Sequence, residues 1–234
     1  RTSIELPQVQ RDILKALKKA GKKVVFVNCS GSAVALVPEM ESCDAILQAW
    51  YPGQSGGLAV EDVLFGDFNP SGKLPVTFYK NTDQLPDFED YSMKNRTYRY
   101  MTEAPLFPFG YGLSYTTFDI SKGRLNKKTI SAGQGLNFKV NVKNTGKYDG
   151  AEVIQVYVRK VDDAEGPIKS LRAFRRVPLK AGETCVVSID LLPTTFEFFD
   201  PTTNTMRIMP GKYEIMYGNS SDVPSGNKLS VTLR

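Results

Sequence analysis

The feature that most constrains the fold of this sequence is a change in hydrophobic spacing near residue 118. Beyond it, apolar and polar residues alternate, as in LNFKVNVKN, where Leu136, Phe138, Val140 and Val142 would share one face of a strand. A period of two is typical of antiparallel strands with one buried and one solvated face. We therefore expect the C-terminal half to be built from such strands.

The same alternation returns in several later segments, and turn residues separate them from one another. These segments are EVIQVYV (152–158), CVVSIDL (185–191), KYEIMYG (212–218) and LSVTL (229–233). Roughly seven strands in about 115 residues, with turns about every 8 to 12 positions, are typical of an immunoglobulin-like sandwich. Residues 118–234 are accordingly expected to form an all-β domain of the immunoglobulin or fibronectin type III-like kind.

Three helices are predicted in the N-terminal half, residues 1–117, where apolar residues recur at helical spacing. They cover residues 9–20, 33–40 and 57–65. Gly21 is a suitable stop for the first helix, and we expect Pro38 to break the second.

Three strands are predicted in the same half. They are KVVFVNC (23–29), DAILQAW (44–50) and LPVTFY (74–79). The first two have apolar runs without alternation, as strands do when both faces of a parallel sheet are covered. The fold class expected for the chain is therefore a partial α/β domain, with a mostly parallel sheet and flanking helices, followed by the β sandwich.

Residues 49–80 are rich in glycine and proline, which predicts sharp turns between these elements. Gly53, Gly56 and Gly57 follow the second strand and permit a tight passage into a helix. The GQSGG sequence has neither the GxGxxG nor the GxxxxGKS/T spacing, so it does not predict a phosphate loop. A ligand-binding role stays open for this turn, because open parallel sheets bind ligands at the carboxyl ends of their strands.

An aromatic and proline-rich connector lies between the two halves. It contains Tyr98 to Tyr100 and the sequence PLFPFGYG at residues 105–112. So many rings would be costly to expose, at roughly 25 cal/mol per Å² of apolar area. We interpret the connector as a buried clasp between domains, and a platform for carbohydrate stacking is the functional alternative.

The chain contains no histidine, which removes several kinds of catalytic site. Ser-His-Asp and Cys-His nucleophiles, two-histidine zinc sites and histidine general acids are impossible within it. The cysteines, Cys29, Cys43 and Cys185, have no CxxC spacing, so we expect buried free thiols rather than a metal site or a disulfide framework. The sequence indicates no metal and no cofactor.

Charge and hydropathy argue against nucleic-acid and membrane partners. The formal net charge is +5, from 30 basic and 25 acidic residues, but the basic residues are scattered among acids. No run approaches the roughly 18 apolar residues that a membrane helix needs. The N-terminal sequence RTSIELPQVQ lacks the features of a secretory signal.

Several motifs, taken together, resemble those of glycoside hydrolase family 3. They are AWYPGQSGGLAVEDVLFGDFNPSGKLPVTF, RTYRY, PLFPFGYGLSYTTF and, in the sandwich, VKNTG, GAEVIQVYV and PGKYEIMYG. They follow the family's order over essentially the whole chain. LPQVQ and the tyrosine of WYPGQSGG are most similar to the β-xylosidases of the family, with β-glucosidases next.

This resemblance implies a C-terminal fragment of a retaining, exo-acting glycosidase that removes sugars from the non-reducing ends of plant-type glycans. In the family, an N-terminal barrel carries an aspartate nucleophile and the second domain carries a glutamate acid/base. The resemblance implies that both lie upstream of Arg1, which is similar to the arginine of an Asp-Arg pair that follows the glutamate. We therefore expect no catalytic residue in this chain and no activity of the chain alone. Its implied partners are that barrel and an oligosaccharide, whose sugar stays undetermined between xylose, glucose and arabinose.

Some acidic residues are candidates by type, but none lies in a catalytic motif of the family. They are Glu61, Asp62, Asp67, Asp87, Glu89 and Asp90. Helix-surface and turn roles fit them better. Trp50, Tyr98 and Arg99 could approach the rim of an active site, although core packing, with Arg99 hydrogen-bonded inside the connector, is the favoured interpretation.

The resemblance also implies export to the periplasm or secretion, and a cost of truncation. A parallel sheet without its first strands exposes an apolar edge, so the fragment is expected to self-associate or to rearrange its first residues.

Two other classes of function are open. A stand-alone carbohydrate-binding or adhesion module needs exposed rings on a sheet face, yet Tyr157, Tyr213 and Tyr217 have an inward-facing pattern. A nucleotide-binding or signalling domain needs a glycine-rich loop or an acidic cluster after the first strand, and residues 28–30 (NCS) supply neither.

Overall fold

The structure is a computed structural model that describes residues 2–234, and Arg1 lies outside the described residues. These residues form two compact units, and their secondary structure is mostly β with a few helices. The first unit holds residues up to Phe68 together with 75–97 and 101–109, and the second holds 69–74, 98–100 and 110–234. The domain division between residues 117 and 118 stays a prediction.

The first unit contains short helices and one pair of strands. In chain order its elements are α1 (Gln8–Lys19), β1 (Val25–Asn28), α2 (Val37–Ser42), β2 (Ala45–Gln48), α3 (Gly56–Phe65) and a 3₁₀ turn (Thr82–Gln84). The next helix, α4 (Thr97–Tyr100), begins at the last residue of this stretch of the first unit, and its other three residues belong to the second unit. Strands β1 and β2 pair in parallel, with Val25 opposite Ala45 and Asn28 opposite Gln48.

The predicted first and third helices are confirmed as α1 and α3 within about two residues at each end. The second differs, because Pro38 lies in the first turn of α2 rather than breaking it. Proline suits that position since its missing N–H would have no partner inside the helix. Gly66 ends α3 with a φ of 88°, a left-handed conformation that favours glycine.

The mostly parallel sheet is not confirmed, because the predicted third strand, residues 74–79, does not form. Within this segment Pro75 has no N–H to donate to a ladder. In the first unit, Phe78 makes a single antiparallel bridge to Phe107, whose carbonyl oxygen accepts the Phe78 N–H at 2.9 Å. The backbone here therefore pairs with the connector and not with β2.

The expectation that both faces of β1 and β2 are covered is also wrong for the described residues. Val25 is 49% exposed, and of the four residues in β1 only Asn28 is buried. Helix α1 has no buried residue, and its apolar side chains Val9, Ile13 and Leu17 are 66%, 55% and 40% exposed. An uninterrupted apolar run therefore marks a strand correctly, but its burial depends on layers that the run itself does not encode.

The second unit is a β sandwich, as the period of two predicts. Its strands are β3 (Phe118–Leu125), β4 (Thr129–Ile130), β5 (Leu136–Asn144), β6 (Gly150–Lys160), β7 (Ser170–Leu179), β8 (Thr184–Leu191), β9 (Glu197–Asp200), β10 (Thr205–Ile208), β11 (Gly211–Gly218) and β12 (Lys228–Leu233). One sheet has the order β4-β12-β11-β6-β7 and the other has the order β3-β5-β8, while β9 and β10 form a hairpin.

The core of the sandwich is formed by side chains at alternating positions on these strands. Phe138, Val140 and Val142 of β5 are fully buried, and Leu136 is 3% exposed, so the predicted inward face of this strand is confirmed. Ile154, Val156 and Val158 of β6 and Ile215 of β11 belong to the same cluster. The alternation therefore identified the core-facing residues directly from the sequence.

The aromatic connector divides between the two units. In the first unit, the ring of Phe107 contacts the edge of Phe78 with centroids 6.2 Å apart. In the second, the ring of Tyr98 contacts Tyr157 at 5.7 Å, and its hydroxyl accepts the Leu171 N–H at 3.1 Å. These contacts show that individual rings of the connector are packed, as the clasp interpretation requires. That the connector acts as a clasp between the domains stays a prediction.

Candidate functional site

The carboxyl ends of β1 and β2 carry a closed network of amide and hydroxyl groups. The Nδ2 atom of Asn28 donates to Oε1 of Gln48 at 2.6 Å and to Oγ of Ser30 at 3.2 Å. Nε2 of Gln48 also donates to Oγ of Ser30, which in turn donates to the carbonyl oxygen of Ser32 at 2.9 Å. The polar groups of this network bond to one another and hold the two strand ends together, which gives this edge a structural role.

The glycine-rich turn after β2 contains two residues with a left-handed backbone, Trp50 and Gly53, and its Tyr51 ring closely approaches Gly31. Trp50 has a φ of 57°, and its ring meets the edge of Phe78 with centroids 6.0 Å apart. A Cβ atom at Gly31 would lie 2.7 Å from Cε2 of Tyr51, so a larger residue there would displace the exposed Tyr51 ring from its present position. The contact of Trp50 with Phe78 fits the favoured packing interpretation, which stays a prediction, while Tyr51 is 78% exposed.

The acidic residues singled out in the sequence have helix-surface and turn positions. Glu61 and Asp62 lie on α3. Oδ1 of Asp87 accepts the Glu89 N–H and Oδ1 of Asp90 accepts the Ser92 N–H, both at 2.8 Å. The hydrogen bonds from Ser92 lower the pKa of the Asp90 carboxyl. Residues 2–234 contain no group of three or more His, Cys, Asp or Glu side chains placed to hold a metal ion.

Tyr98 and Arg99 belong to the second unit, whereas Trp50 belongs to the first. The Arg99 carbonyl oxygen accepts the Ile168 N–H at 2.8 Å, and its guanidinium lies 5.8 Å from the centre of the Tyr100 ring. Tyr98 packs on Tyr157 as described above. These contacts fit connector packing.

An open groove of about 600 Å³ lies in the first unit, and sequence reasoning missed it. Its lining comes from three separate stretches of chain, residues 2–4, 32–33 and 82–88, and from Arg96. Five of the lining residues are polar and five are apolar, so the groove is more polar and more open than a typical small-molecule site. This groove is the candidate functional site.

One side of the groove is fixed by hydrogen bonds between Glu5 and Thr82. Oε1 of Glu5 accepts the Thr82 N–H at 2.8 Å, and Oε2 accepts the Thr82 hydroxyl at 2.5 Å and also the Ser3 hydroxyl. The Ile4 N–H donates to Oγ1 of Thr82 at 3.1 Å. Hydrogen bonds from the Ser3 and Thr82 hydroxyls, helped by the Thr82 N–H, lower the pKa of Glu5 to about 2.

The loop of residues 85–96 forms another side of the groove and presents two exposed rings. Nη2 of Arg96 donates to the carbonyl oxygens of Asp87 at 2.8 Å and Asp90 at 2.7 Å, which closes the loop. Phe88 is 92% exposed and lines the groove, whereas Tyr91 is 90% exposed and does not line it. The acids and the proline of PDFEDY indicated a turn-rich loop, but they did not indicate that its rings are exposed.

Three tyrosines of the sandwich face inward, as predicted. Tyr157 and Tyr213 are fully buried and Tyr217 is 4% exposed. Burial raises the pKa of Tyr213 to about 12 and raises the pKa of Tyr157 further. These rings therefore offer no surface on which a sugar could stack.

The three cysteines are free thiols, as expected, but they are not buried. Cys29 is exposed, and Cys43 and Cys185 are partly exposed. Partial burial raises the pKa of the Cys43 and Cys185 thiols. Separately, no helix within residues 2–234 has the length and apolar content needed to cross a membrane.

Comparison with known proteins identifies the family. Residues 1–115 match the glycosyl hydrolase family 3 C-terminal domain, and residues 152–221 match the fibronectin type III-like domain. The chain belongs to glycoside hydrolase family 3. It corresponds to a C-terminal part of the family's enzymes.

Two relatives in family 3 are similar over nearly the whole chain. The chain is 61% identical over 233 residues to a xylan 1,4-beta-xylosidase of Xylanibacter ruminicola, covering 100% of this chain and 27% of that enzyme. It is 41% identical over 241 residues to a periplasmic beta-glucosidase of Salmonella typhimurium, covering 97% and 31%. The chain thus spans about a third or less of the length of these relatives.

Solved structures of the family have the same fold. The family 3 beta-glucosidase of Bifidobacterium adolescentis superposes with a TM-score of 0.87 at 33% identity, covering 100% of this chain and 36% of that one. The resemblance inferred from the motifs is therefore confirmed, for both the family and the C-terminal location.

Proposed function

We propose that this chain is the non-catalytic C-terminal part of a retaining, exo-acting β-xylosidase of family 3, with a β-glucosidase as the second candidate. The observation that carries the proposal is the 61% identity to a xylan 1,4-beta-xylosidase, against 41% to a beta-glucosidase, over nearly the same residues. The substrate would be the non-reducing end of a β-linked plant-type oligosaccharide, and no metal or cofactor is required.

In this proposal both catalytic carboxylates lie in polypeptide that precedes Arg1: an aspartate nucleophile on a barrel and a glutamate acid/base close to Arg1. The acidic residues of the chain support this, because the carboxylates of Asp87 and Asp90 are engaged as acceptors in turns. A pair of carboxyl groups about 5 Å apart is needed for retention. The chain contributes scaffold, and scaffold affects rate because catalytic groups must be positioned to within ångströms.

The test compares the 234-residue chain with a longer polypeptide that includes the upstream sequence. We expect the longer protein to hydrolyse aryl β-xylosides faster than aryl β-glucosides and the chain alone to hydrolyse neither. Turnover by the rigorously purified chain would overturn the assignment of the catalytic groups. A longer protein that prefers the glucoside would select the second candidate.

The proposal also includes export to the periplasm or secretion, supported by the relative that is named a periplasmic beta-glucosidase. Fractionation of cells that express the longer polypeptide tests it: enzyme retained in the cytoplasm would contradict it.

We further propose that the isolated chain self-associates through the apolar side of α1. Val9, Ile13 and Leu17 recur at four-residue spacing and are 66%, 55% and 40% exposed, which leaves an apolar stripe in water. Light scattering should show a dimer or larger species, and Ile13→Lys should shift it to the monomer. A monomeric wild-type chain at high concentration would refute the idea.

A further inference from the structure

One stretch of the sandwich unit carries basic residues with no acid among them. Residues 120–148, which cover most of β3 and all of β4 and β5, contain seven lysines and arginines and no aspartate or glutamate. Over the rest of the chain, basic residues are scattered among acids. Positive charge is therefore concentrated on these neighbouring strands, and a block of like charge of this kind suits an anionic partner.

Folding exposes four of these cations on two paired strands. The core-facing positions of β5 alternate with Lys139 and Lys143, which are both exposed. Strand β3 contributes Lys122 and Arg124, which are exposed as well. We call these four residues the basic face.

The arrangement of the basic face is unfavourable for the sheet by itself. Arg124 and Lys139 are directly opposite each other in the β3–β5 ladder, where Cα atoms are about 5 Å apart. Like charges in this position destabilise a sheet. None of the four cations forms an ion pair with another of residues 2–234. The repulsion is therefore not relieved within the described part of the chain.

Two acids also point outward from this sheet, and they leave the basic face positive. Asp119 is opposite Lys143 on β5, but the two side chains form no ion pair. Asp190 of β8 accepts a hydrogen bond from Nδ2 of Asn137 at 2.7 Å. Four cations and two acids leave a net positive charge for a partner to neutralise.

A bulge in β3 exposes Lys122 in a strained conformation. The β3–β5 register shifts between Ser121 and Arg124, and Lys122 has a φ of 58°, which is unfavourable for a lysine. Gly123 takes the inward position, since its N–H donates to the Tyr217 hydroxyl at 3.0 Å and an added Cβ would lie 2.4 Å from Cζ of Tyr217. Bulges commonly re-aim a side chain beside a functional surface. Packing of the core does not require a lysine at this position.

The neutral residues of this sheet face favour a polysaccharide over other polyanions. Ser121, Asn141 and Val186 form one row across β3, β5 and β8, between the positions of Lys139 and Lys143. Hydroxyl and amide groups can exchange hydrogen bonds with sugar hydroxyls. The outward positions of the three strands carry no aromatic ring on which a base could stack. They also lack the row of large apolar side chains that a membrane-binding surface needs.

We propose that the basic face binds the carboxylate groups of an acidic polysaccharide, namely a β-linked xylan that carries glucuronate side groups. This rests on the proposed function, which makes a xylan the polymer at hand. Lys139 and Lys143 are four residues apart on one strand, which corresponds to about 13 Å. Cations spread over this length suit a chain with recurring carboxylates better than one small anion. The face holds the protein on the polymer and takes no part in bond cleavage.

The first experiment measures binding to the 234-residue chain, without catalysis. Glucuronoxylan is titrated into the chain at low ionic strength, and saturable binding with a Kd on the order of 0.1 mM is expected. The same polymer with its carboxylates reduced to alcohols should bind at least roughly tenfold more weakly. At about 1 M salt, where charges are screened within about 3 Å, binding of the carboxylated polymer should be lost.

Two triple variants with the same change in net charge locate the site. Arg124→Gln, Lys139→Gln, Lys143→Gln should weaken binding of glucuronoxylan by roughly tenfold. Its free energy of unfolding should not fall, because a like-charged pair is removed. The control is Lys15→Gln, Lys19→Gln, Lys22→Gln, three exposed lysines of the first unit without an ion pair among the described residues, and it should leave the Kd unchanged.

Three results of these titrations would overturn the proposal. They are equal binding of the carboxylated and the reduced polymer, equal losses in the two triple variants, and no saturable binding by the wild-type chain. Binding to a DNA duplex together with no binding to glucuronoxylan would overturn it too and would assign the basic face to nucleic acid.

Lys122→Asn tests the bulge separately. Asparagine adopts the left-handed conformation more readily than lysine, so the variant should unfold at a higher urea concentration. Its loss of one cation should weaken binding of glucuronoxylan by roughly threefold. A Kd equal to that of the wild type would contradict a role of the strained lysine in binding.

The failure of this proposal is distinguishable from failure of the proposed function. If the longer polypeptide hydrolyses neither aryl β-xylosides nor aryl β-glucosides, while the chain binds the carboxylated polymer through the basic face, the proposed function fails and the binding surface stands. If the longer polypeptide hydrolyses aryl β-xylosides and the chain does not discriminate between the two polymers, the proposed function stands and the binding surface fails.

Discussion

Replacing Gly110 with alanine should destabilise the sandwich unit by more than the same substitution usually costs at a glycine with a left-handed backbone. Gly110 has a φ of 78°, and an added Cβ would lie 2.0 Å from Oε1 of Gln155. Gln155 is 3% exposed, and its Nε2 donates to the carbonyl oxygens of Gly110 at 3.1 Å and Asn219 at 2.7 Å. The Tyr157 hydroxyl donates to the same Oε1. The new methyl group must therefore displace a buried amide from three hydrogen bonds.

The magnitude follows from two separate costs. An alanine in the left-handed region costs about 1–2 kcal/mol. Leaving buried polar groups without partners costs about a further 1–3 kcal/mol. We therefore expect Gly110→Ala to lower the free energy of unfolding by about 2–5 kcal/mol. Gly133 is the matched control, because it lies in the same unit with a φ of 82° and has nothing within 4 Å of its added Cβ. Gly133→Ala should cost only the first of these terms, about 1–2 kcal/mol.

The assay is urea unfolding followed by far-UV circular dichroism, which reports the helices and strands of both units together. Trp50 is the one tryptophan of the chain and lies in the first unit, so its fluorescence reports that unit separately. The extra loss in Gly110→Ala should lower the melting temperature by a further 3–10 °C or so. If both variants lose the same free energy within about 0.5 kcal/mol, the close packing of Gln155 on Gly110 is refuted.

Three further predictions concern single interactions. Lys73 and Glu152 form an ion pair at 2.7 Å, and their side chains are only 12% and 6% exposed. Lys73→Met alone should therefore lower the free energy of unfolding by about 3–5 kcal/mol, and the Lys73→Met, Glu152→Gln double variant should lower it clearly less. Additive losses in urea unfolding would contradict this. The pKa of Glu5 is about 2 against an ordinary 4.5, so its hydrogen bonds stabilise the fold above about pH 4.5 and lose this effect as the pH falls towards 2. Thr82→Val should raise that pKa towards 4.5 in an NMR titration, and an unchanged midpoint would count against the contact. Cys29 should react first with a thiol reagent, because it is exposed and because burial raises the pKa of Cys43 and Cys185. Cys29→Ser should therefore remove the fast phase of the thiol reaction. A fast phase that persists in this variant would show another thiol to be the reactive one.

Periodic segments of the sequence were predicted well, and segments that depend on distant partners were not. The alternation in β5 and the helical spacing in α1 each identified an element and its apolar face. Residues 74–79 were predicted as a strand on local pattern, yet the Phe78 N–H pairs with Phe107 in the connector. A local pattern states that a segment can be extended, whereas its backbone partner is chosen by what lies beside it in the folded chain.

The candidate site shows the same division. The motifs indicated the family and the turn after β2, but the groove is assembled from residues 2–4, 32–33 and 82–88, which are far apart in sequence. Glu5 and Thr82 are separated by 77 positions, and neither local sequence predicts the hydrogen bonds between them. The exposure of Phe88 depends on how its loop is placed, so the sequence did not single this residue out.

By itself the sequence determined the family, the all-β nature of the C-terminal half, the inward faces of its strands and the exclusion of histidine chemistry. Tertiary structure decided which residues share the groove, that residues 74–79 do not form the predicted strand, and that the Phe88 ring is exposed to water. The physical reason is that hydrophobic period and residue type act over a few neighbouring residues, where the sequence can be read directly. Hydrogen-bond partners and exposure depend on segments brought together only when the whole chain has packed.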